Sequence, residues 1–229
     1  MAVRIKRHWF QDGRERPPEA QASVIAVAIW KSATHGLQGL RKAKFSVDVG
    51  TPFLVVLAEF VVFLVTVADR MAYLHAPVQT QSDVDGSGVS GDLNDEEDAM
   101  DPGWRGLFTV ALARRLAEIY QENLDQLVGP PDASAGKDHA SIFINLLNRR
   151  MAEYAEFEYD ENGPEFAFLR FFGTCIESAL PDPGDRRWVL DQVMASQAPE
   201  AIEYVESGMR GVLGLDPKPR RKREGVSAD

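Results

Sequence analysis

The chain has 229 residues, 45% of them aliphatic or aromatic and 26% charged, with a formal charge of −10. This is a globular composition: it excludes collagen-like, wholly disordered and multi-span membrane chains, and the length allows one sizeable domain or two small ones that need no disulfide or metal staple. A single cysteine, Cys175, can form neither an internal disulfide nor a cysteine-based zinc site by itself, and residues 1–20 hold no apolar run of signal-peptide length, so a reducing, cytoplasmic setting is expected.

The first 17 residues read as a flexible basic arm carrying Arg4, Lys6, Arg7, Arg14 and Arg16. From Pro18, apolar positions at Ala26, Trp30, Ala33, Leu37 and Leu40 recur at spacings of three and four, which predicts an amphipathic helix over 18–40. A basic cluster, Arg41, Lys42 and Lys44, separates it from the next apolar segment. Thr51 followed by Pro52 is a capping residue before the proline favoured in a first helical turn, and the segment runs apolar until Pro77, predicting a helix over 52–75.

That second segment is the greasiest stretch of the chain: residues 53–68 hold one charge, Glu59. A membrane span needs about 20 apolar residues, so a short crossing is geometrically allowed. Three features favour a central helix of a water-soluble bundle instead. Glu59 would fall near mid-bilayer, no second segment of similar length exists to cover it, and Glu59, Thr66, Arg70 and Tyr73 align along one narrow polar strip.

Residues 77–101 replace periodicity with Gly, Ser, Asp and Pro, and read as a long mobile loop. It carries eight acids and no Lys or Arg; without them the remainder stands near −2, so the molecule's charge is patchy and its net value says little about partners. Within it, Asp83, Asp85 and Ser87 with Gly88 follow the opening of a calcium loop of the EF-hand type, which needs oxygens at loop positions one, three and five. Position twelve, where a bidentate Glu closes the shell, is Asn94, and Pro77 ends the entering helix too early, so a solvated acidic linker is the simpler reading.

Asp101-Pro102 repeats the cap-and-proline signal before a stripe of Trp104, Phe108, Leu112, Leu116, Ile119 and Leu127, stopped by Gly129-Pro130-Pro131. A fourth helix is predicted over 138–160 from Phe143, Leu147, Met151, Tyr154 and Phe157, with Asn162-Gly163-Pro164 as a tight connection. Phe168, Phe172, Cys175, Ile176 and Ala179 mark a fifth. Trp188, Val189 and Val193 begin a sixth, which Pro199 either kinks or ends in favour of a seventh carrying Ile202, Val205, Met209 and Val212. The tail, 215–229, is expected to be disordered and basic. Its Lys218, Arg220, Arg221, Lys222 and Arg223 are suited to phosphates on nucleic acid or anionic lipid, or to the chain's own acidic loop.

The fold class is therefore all-α: one bundle-like domain of six or seven helices over 18–214, without period-2 runs that would build a sheet. Glu59 is the residue to watch, because a carboxylate among Phe and Val must be paired, protonated or bound; Arg115, Arg150 and Arg170 are its candidate partners. Glu118, Glu122, Glu153 and Glu156 lack the Glu-x-x-His pattern of a carboxylate metal centre and read as helix-face pairs, Cys175 as an inert buried thiol, and the four histidines as capping or surface groups. No phosphate-binding loop, nucleophile elbow or dinucleotide fingerprint occurs, and no cofactor is implied. The expected role is a non-catalytic helical interaction protein, a regulator, adaptor or assembly factor bound to another macromolecule. The alternatives are a helical pocket for an apolar small molecule with Glu59, Thr66 and Arg70 as polar anchors, or a protein that meets a membrane through 52–75.

Overall fold

A computed structural model of the chain describes residues 16–47, 50–75, 103–128, 138–181, 184 and 186–215. The 77–101 loop with Asp83, Asp85 and Ser87, and the basic run from Lys218 to Arg223, lie outside the described residues. What is described is all-α, with a two-strand ribbon as its sole sheet among the described residues.

Helix α1, Pro18–Lys42, starts with proline in its first turn and places Glu19 there and Arg41 and Lys42 in its last, each sign matched to the helix dipole. Its buried face is made of Ala22, Ile25, Ala26, Ile29, Ala33, Leu37 and Leu40. The chain then reverses through Lys44, a non-glycine residue at φ 70°, where the amide of Phe45 donates to the carbonyl of Leu40.

Helix α2, Thr51–His75, runs back antiparallel to α1: Arg41 stacks over Phe53, and Gly36 faces Phe60 so closely that a Cβ there would lie 2.5 Å from the ring. It is the central element, packed by α1, by α3 (Gly103–Val128), by α4 (His139–Tyr154), by α5 (Phe166–Ala179) and by α7 (Ala198–Leu213). That surround explains a segment apolar on nearly all sides, since a helix with neighbours on every face has no polar side to keep. It passes the length and composition test for a membrane span, yet 83% of its most apolar window is buried inside the protein. Phe63 stacks on Phe172 at 3.8 Å, and Phe60 meets the same ring edge-on at 4.9 Å, so α2 and α5 share an aromatic centre.

Helix α3 runs antiparallel to α2 and therefore parallel to α1. Arg105 and Thr109 both reach Asp69 near the end of α2, and the indole of Trp104 donates to Gln21 near the start of α1 at 2.8 Å. Asp138 caps α4 by accepting from the amide of Ser141, which holds its carboxyl below the usual range.

Two boundaries differ from the sequence reading. The helix expected over 138–160 stops at Tyr154. A helix continuing beyond it would use the Tyr154 carbonyl to accept from Glu158. Instead Arg70 of α2 donates to the carbonyls of Tyr154 and Phe157, and the Glu158 amide donates to the Glu165 carboxylate. The freed residues form an antiparallel ribbon, β1 (Tyr159–Asp160) with β2 (Gly163–Pro164), closed by Gly163 at φ 99°. The second difference is a π turn ahead of Pro199. Helix α6, Arg186–Gln192, is followed by a five-residue π turn, Val193–Gln197, and Pro199 then stands in the first turn of α7, at the start of the seventh helix that was one of the two expected outcomes. The amide of Ala198 bonds five residues back to Val193, and the widened turn accommodates a proline ring that has no N–H and would crowd the Ala195 carbonyl in a regular helix. Gly214 at φ 70° ends α7.

Candidate functional site

Glu59 sits in the middle of α2 with 8% of its side chain exposed, and Arg150 from α4 meets it with both arms of the guanidinium, Nη2 to Oε1 at 2.7 Å and Nε to Oε2 at 2.9 Å. Of the three arginines proposed from sequence, Arg150 is the partner. Its remaining Nη1 donates to Glu153 one turn along at 2.7 Å, and its face lies over the Phe171 ring. The Glu59 carboxylate raises the Arg150 guanidinium still further above its already high range, so the arginine stays charged. The fork-on-fork geometry engages both carboxylate oxygens with the protein's own guanidinium.

The rest of the strip is also satisfied from within. Thr66 donates its hydroxyl to the Val62 carbonyl in its own helix, and Arg70 holds the end of α4. Thus Glu59, Thr66 and Arg70 share a helix face but not a common ligand space: each serves a different junction of α2 with itself or with α4. Asp69 was not singled out in the sequence, yet it is buried, accepts two hydrogen bonds from Arg105 and one from Thr109, and locks α3 onto α2.

Cys175 lies close to this centre, 3% exposed, with its thiol pushed up to about 12 by burial and, secondarily, by the charge of Glu59. Glu118 pairs with Arg115 and Glu153 with Arg150, as helix-face spacing suggests. Among the described residues no three His, Cys, Asp or Glu side chains converge in a way that could hold a metal ion. His139 departs from the surface role read for the histidines: its Nε2 is buried without a hydrogen-bond partner among the described residues, 3.9 Å from Asp125.

A different site appears at a place marked by no sequence motif. Helices α1 and α7 cross antiparallel along a seam of small residues, with Ser32 against Ala201, Gly39 against Gln197 and Gly208 against Ile25. Between the C-terminal half of α1 and the π turn lies a recess of about 700 Å³. Its walls include Trp30, Lys31, Thr34 and His35 from α1 and Glu200 and Tyr204 from α7. Gln197, the last residue of the π turn, is 6% exposed, and its amide nitrogen lies where a Cβ on Gly39 would be only 2.8 Å away, so glycine is what lets the amide fit. The Gln197 carbonyl oxygen is buried with no hydrogen-bond partner among the described residues, a state that costs about 1–3 kcal/mol. A π turn that holds an unmet buried polar group is the kind of local irregularity that functional positions keep. The one legible hint in the sequence was Pro199 inside an otherwise helical period.

Exposed apolar side chains mark a second surface. Val110 on α3 is 59% exposed, and Val27 on α1 is exposed separately. Leu107, one turn before Val110, is likewise exposed. Comparison with protein-family models, with curated proteins and with solved structures finds no match for this chain, so its function has to be argued from these residues.

Proposed function

We propose that this chain is a helical interaction protein that works by holding another macromolecule, with its core serving as a rigid support. The observation that carries this reading is the exposed apolar pair Leu107 and Val110, one turn apart on α3, of which Val110 is 59% exposed. Side chains of this kind in water contribute nothing to the core of the domain that bears them, and contiguous apolar area on a rigid surface is a frequent mark of association. The closed Glu59–Arg150 pair supports the same direction, since the charge most suited to core chemistry is already taken by the protein. A ligand anchored at Glu59 would have to displace a bidentate arginine. Membrane contact through 52–75 would have to unpack a helix that five others cover.

The test is affinity capture with the full chain and with Leu107→Glu/Val110→Glu, both at low salt. Exposed positions tolerate charge, so the double variant should melt within a few degrees of the parent while losing a specific co-purifying macromolecule. Identical recovery from the two proteins, or nothing recovered from either, refutes the assignment of this face.

A further inference from the structure

We propose that the recess between α1 and α7 is a binding site for a zwitterion that carries a flat ring, of the class of free aromatic α-amino acids. The inference goes beyond the macromolecular surface described above and uses other residues.

The site grows from one contact. The Ser32 hydroxyl of α1 donates to the Ala201 carbonyl of α7 at 3.4 Å, and the residues just before these two, Lys31 and Glu200, both line the recess. Opposite charges therefore flank the same crossing, one from each helix. They form no ion pair with each other, and Lys31 has no hydrogen bond or ion pair to any other described residue. Glu200 accepts from the Ser196 hydroxyl through Oε1 at 3.4 Å, which leaves its Oε2 without a partner among the described residues.

Unlike charges held apart across one recess complement a ligand that bears both signs. Its carboxylate meets the Lys31 ammonium and its own ammonium meets the Glu200 carboxylate. Because the two wall charges sum to zero, a simple anion or a simple cation is matched at one end and opposed at the other.

Size and shape supply the rest of the ligand. About 700 Å³ lies within the range of pockets that take small organic molecules, well above what a single ion would fill. Trp30, next to Lys31, and Tyr204, one turn beyond Glu200, are the aromatic side chains of the wall. Four residues at 1.5 Å each put Tyr204 about 6 Å along α7 from Glu200, a span comparable to that from head group to ring in an aromatic amino acid. Since α1 and α7 run antiparallel, this direction leads to the Trp30 end of α1, so a head group between the charges sends its ring toward both aromatic side chains. Tyr204 is 39% exposed, and a stacked ring would cover it. His35, the remaining titratable side chain in the wall, stands one turn beyond Lys31 in the opposite direction, away from the ring end.

The probe is L-tryptophan, titrated into the full chain by calorimetry. It is compared with indole-3-propionate, which lacks the ammonium, tryptamine, which lacks the carboxylate, and L-alanine, which lacks the ring. One-site binding is expected for L-tryptophan, with each single-charge analogue weaker by about fivefold, the upper end for an ion pair in contact with water, and with no measurable binding of L-alanine. Lys31→Met should bring L-tryptophan down to the level of tryptamine without weakening tryptamine, and Glu200→Gln should bring it down to the level of indole-3-propionate. His35→Gln should keep the order of all four probes. The substituted side chains reach solvent, so each variant should melt within a few degrees of the parent. The proposal is overturned by L-tryptophan binding no tighter than either indole analogue, by an unchanged order in Lys31→Met or Glu200→Gln, by a carboxylate preference lost in His35→Gln, by L-alanine binding as tightly as L-tryptophan, or by no saturable heat at millimolar probe.

Discussion

Replacing Arg150 by Met removes the partner of a carboxylate that is 8% exposed, while Arg150 itself is 15% exposed, so water cannot take over the lost interaction at either end. Breaking such a buried pair from one side costs about 3–5 kcal/mol, most of it the penalty of an uncompensated charge. The second contact of Arg150, to the more exposed Glu153, adds at most about 1 kcal/mol. At this chain length each kcal/mol moves the melting temperature by roughly 2–4 °C, so Arg150→Met should melt about 6–20 °C below the parent. Removing both charges is a different experiment. Glu59→Leu/Arg150→Met trades an ion pair for apolar contacts beside Phe171 and should recover to within about 1–2 kcal/mol of the parent or surpass it. Urea unfolding of the parent, both single variants and the double variant closes the cycle, with an unchanged slope showing that the denatured state is comparable. A double variant that costs the sum of the singles, or an Arg150→Met loss under about 1 kcal/mol, would refute the claim that α2 and α4 are tied by a buried pair.

Gly36→Ala should be destabilising by about 1–3 kcal/mol in the same urea assay, because its Cβ would meet the fully buried Phe60 ring at 2.5 Å and that ring is fixed by Phe172; a neutral result would mean α1 and α2 are farther apart than described. Cys175 should resist a disulfide-exchange reagent at about pH 8 in the folded protein and react fully in urea, since burial hides the sulfur and pushes its thiol up to about 12; fast labelling of the native chain would contradict its place on the buried face of α5. Stability should fall as pH rises from about 9 towards about 12. Burial raises Cys175 and Tyr120 to about 12, and raises Tyr154 and Tyr159 above the usual phenol range, so the unfolded chain releases these protons first; their contribution is intact below the unfolded values and lost as pH climbs through the folded ones. Tyrosinate absorbance that rises in step with free tyrosine while the helical signal persists would refute it.

The helices that the sequence announced most clearly were those with punctuation at both ends. Pro17-Pro18 and the basic cluster frame α1, Thr51-Pro52 and Pro77 frame α2, and Gly129-Pro130-Pro131 follows α3, because proline and glycine act on the local backbone whatever the rest of the chain does. The end of α4 had no such mark. Its stripe continues in sequence to Phe157, but Arg70, 84 residues away from Tyr154, takes the carbonyl that the helix would have used. Glu59 was legible as a problem, since burial of a lone acid among Phe and Val is costly in any fold, but its solution was a choice among three arginines that periodicity cannot rank.

What the sequence determined by itself is the class of structure and its greasy axis: periods of three and four, broken by local stops, specify helices, and a segment apolar on every side demands neighbours on every side. Tertiary structure alone decided which neighbours those are, where the polar atoms of α2 find partners, and that a π turn would precede Pro199 and hold Gln197 against a recess. Those outcomes depend on pairs of residues far apart in the chain, such as Ser32 and Ala201, 169 positions apart, and such pairings are set by how whole helices pack, a property that no stretch of chain carries on its own.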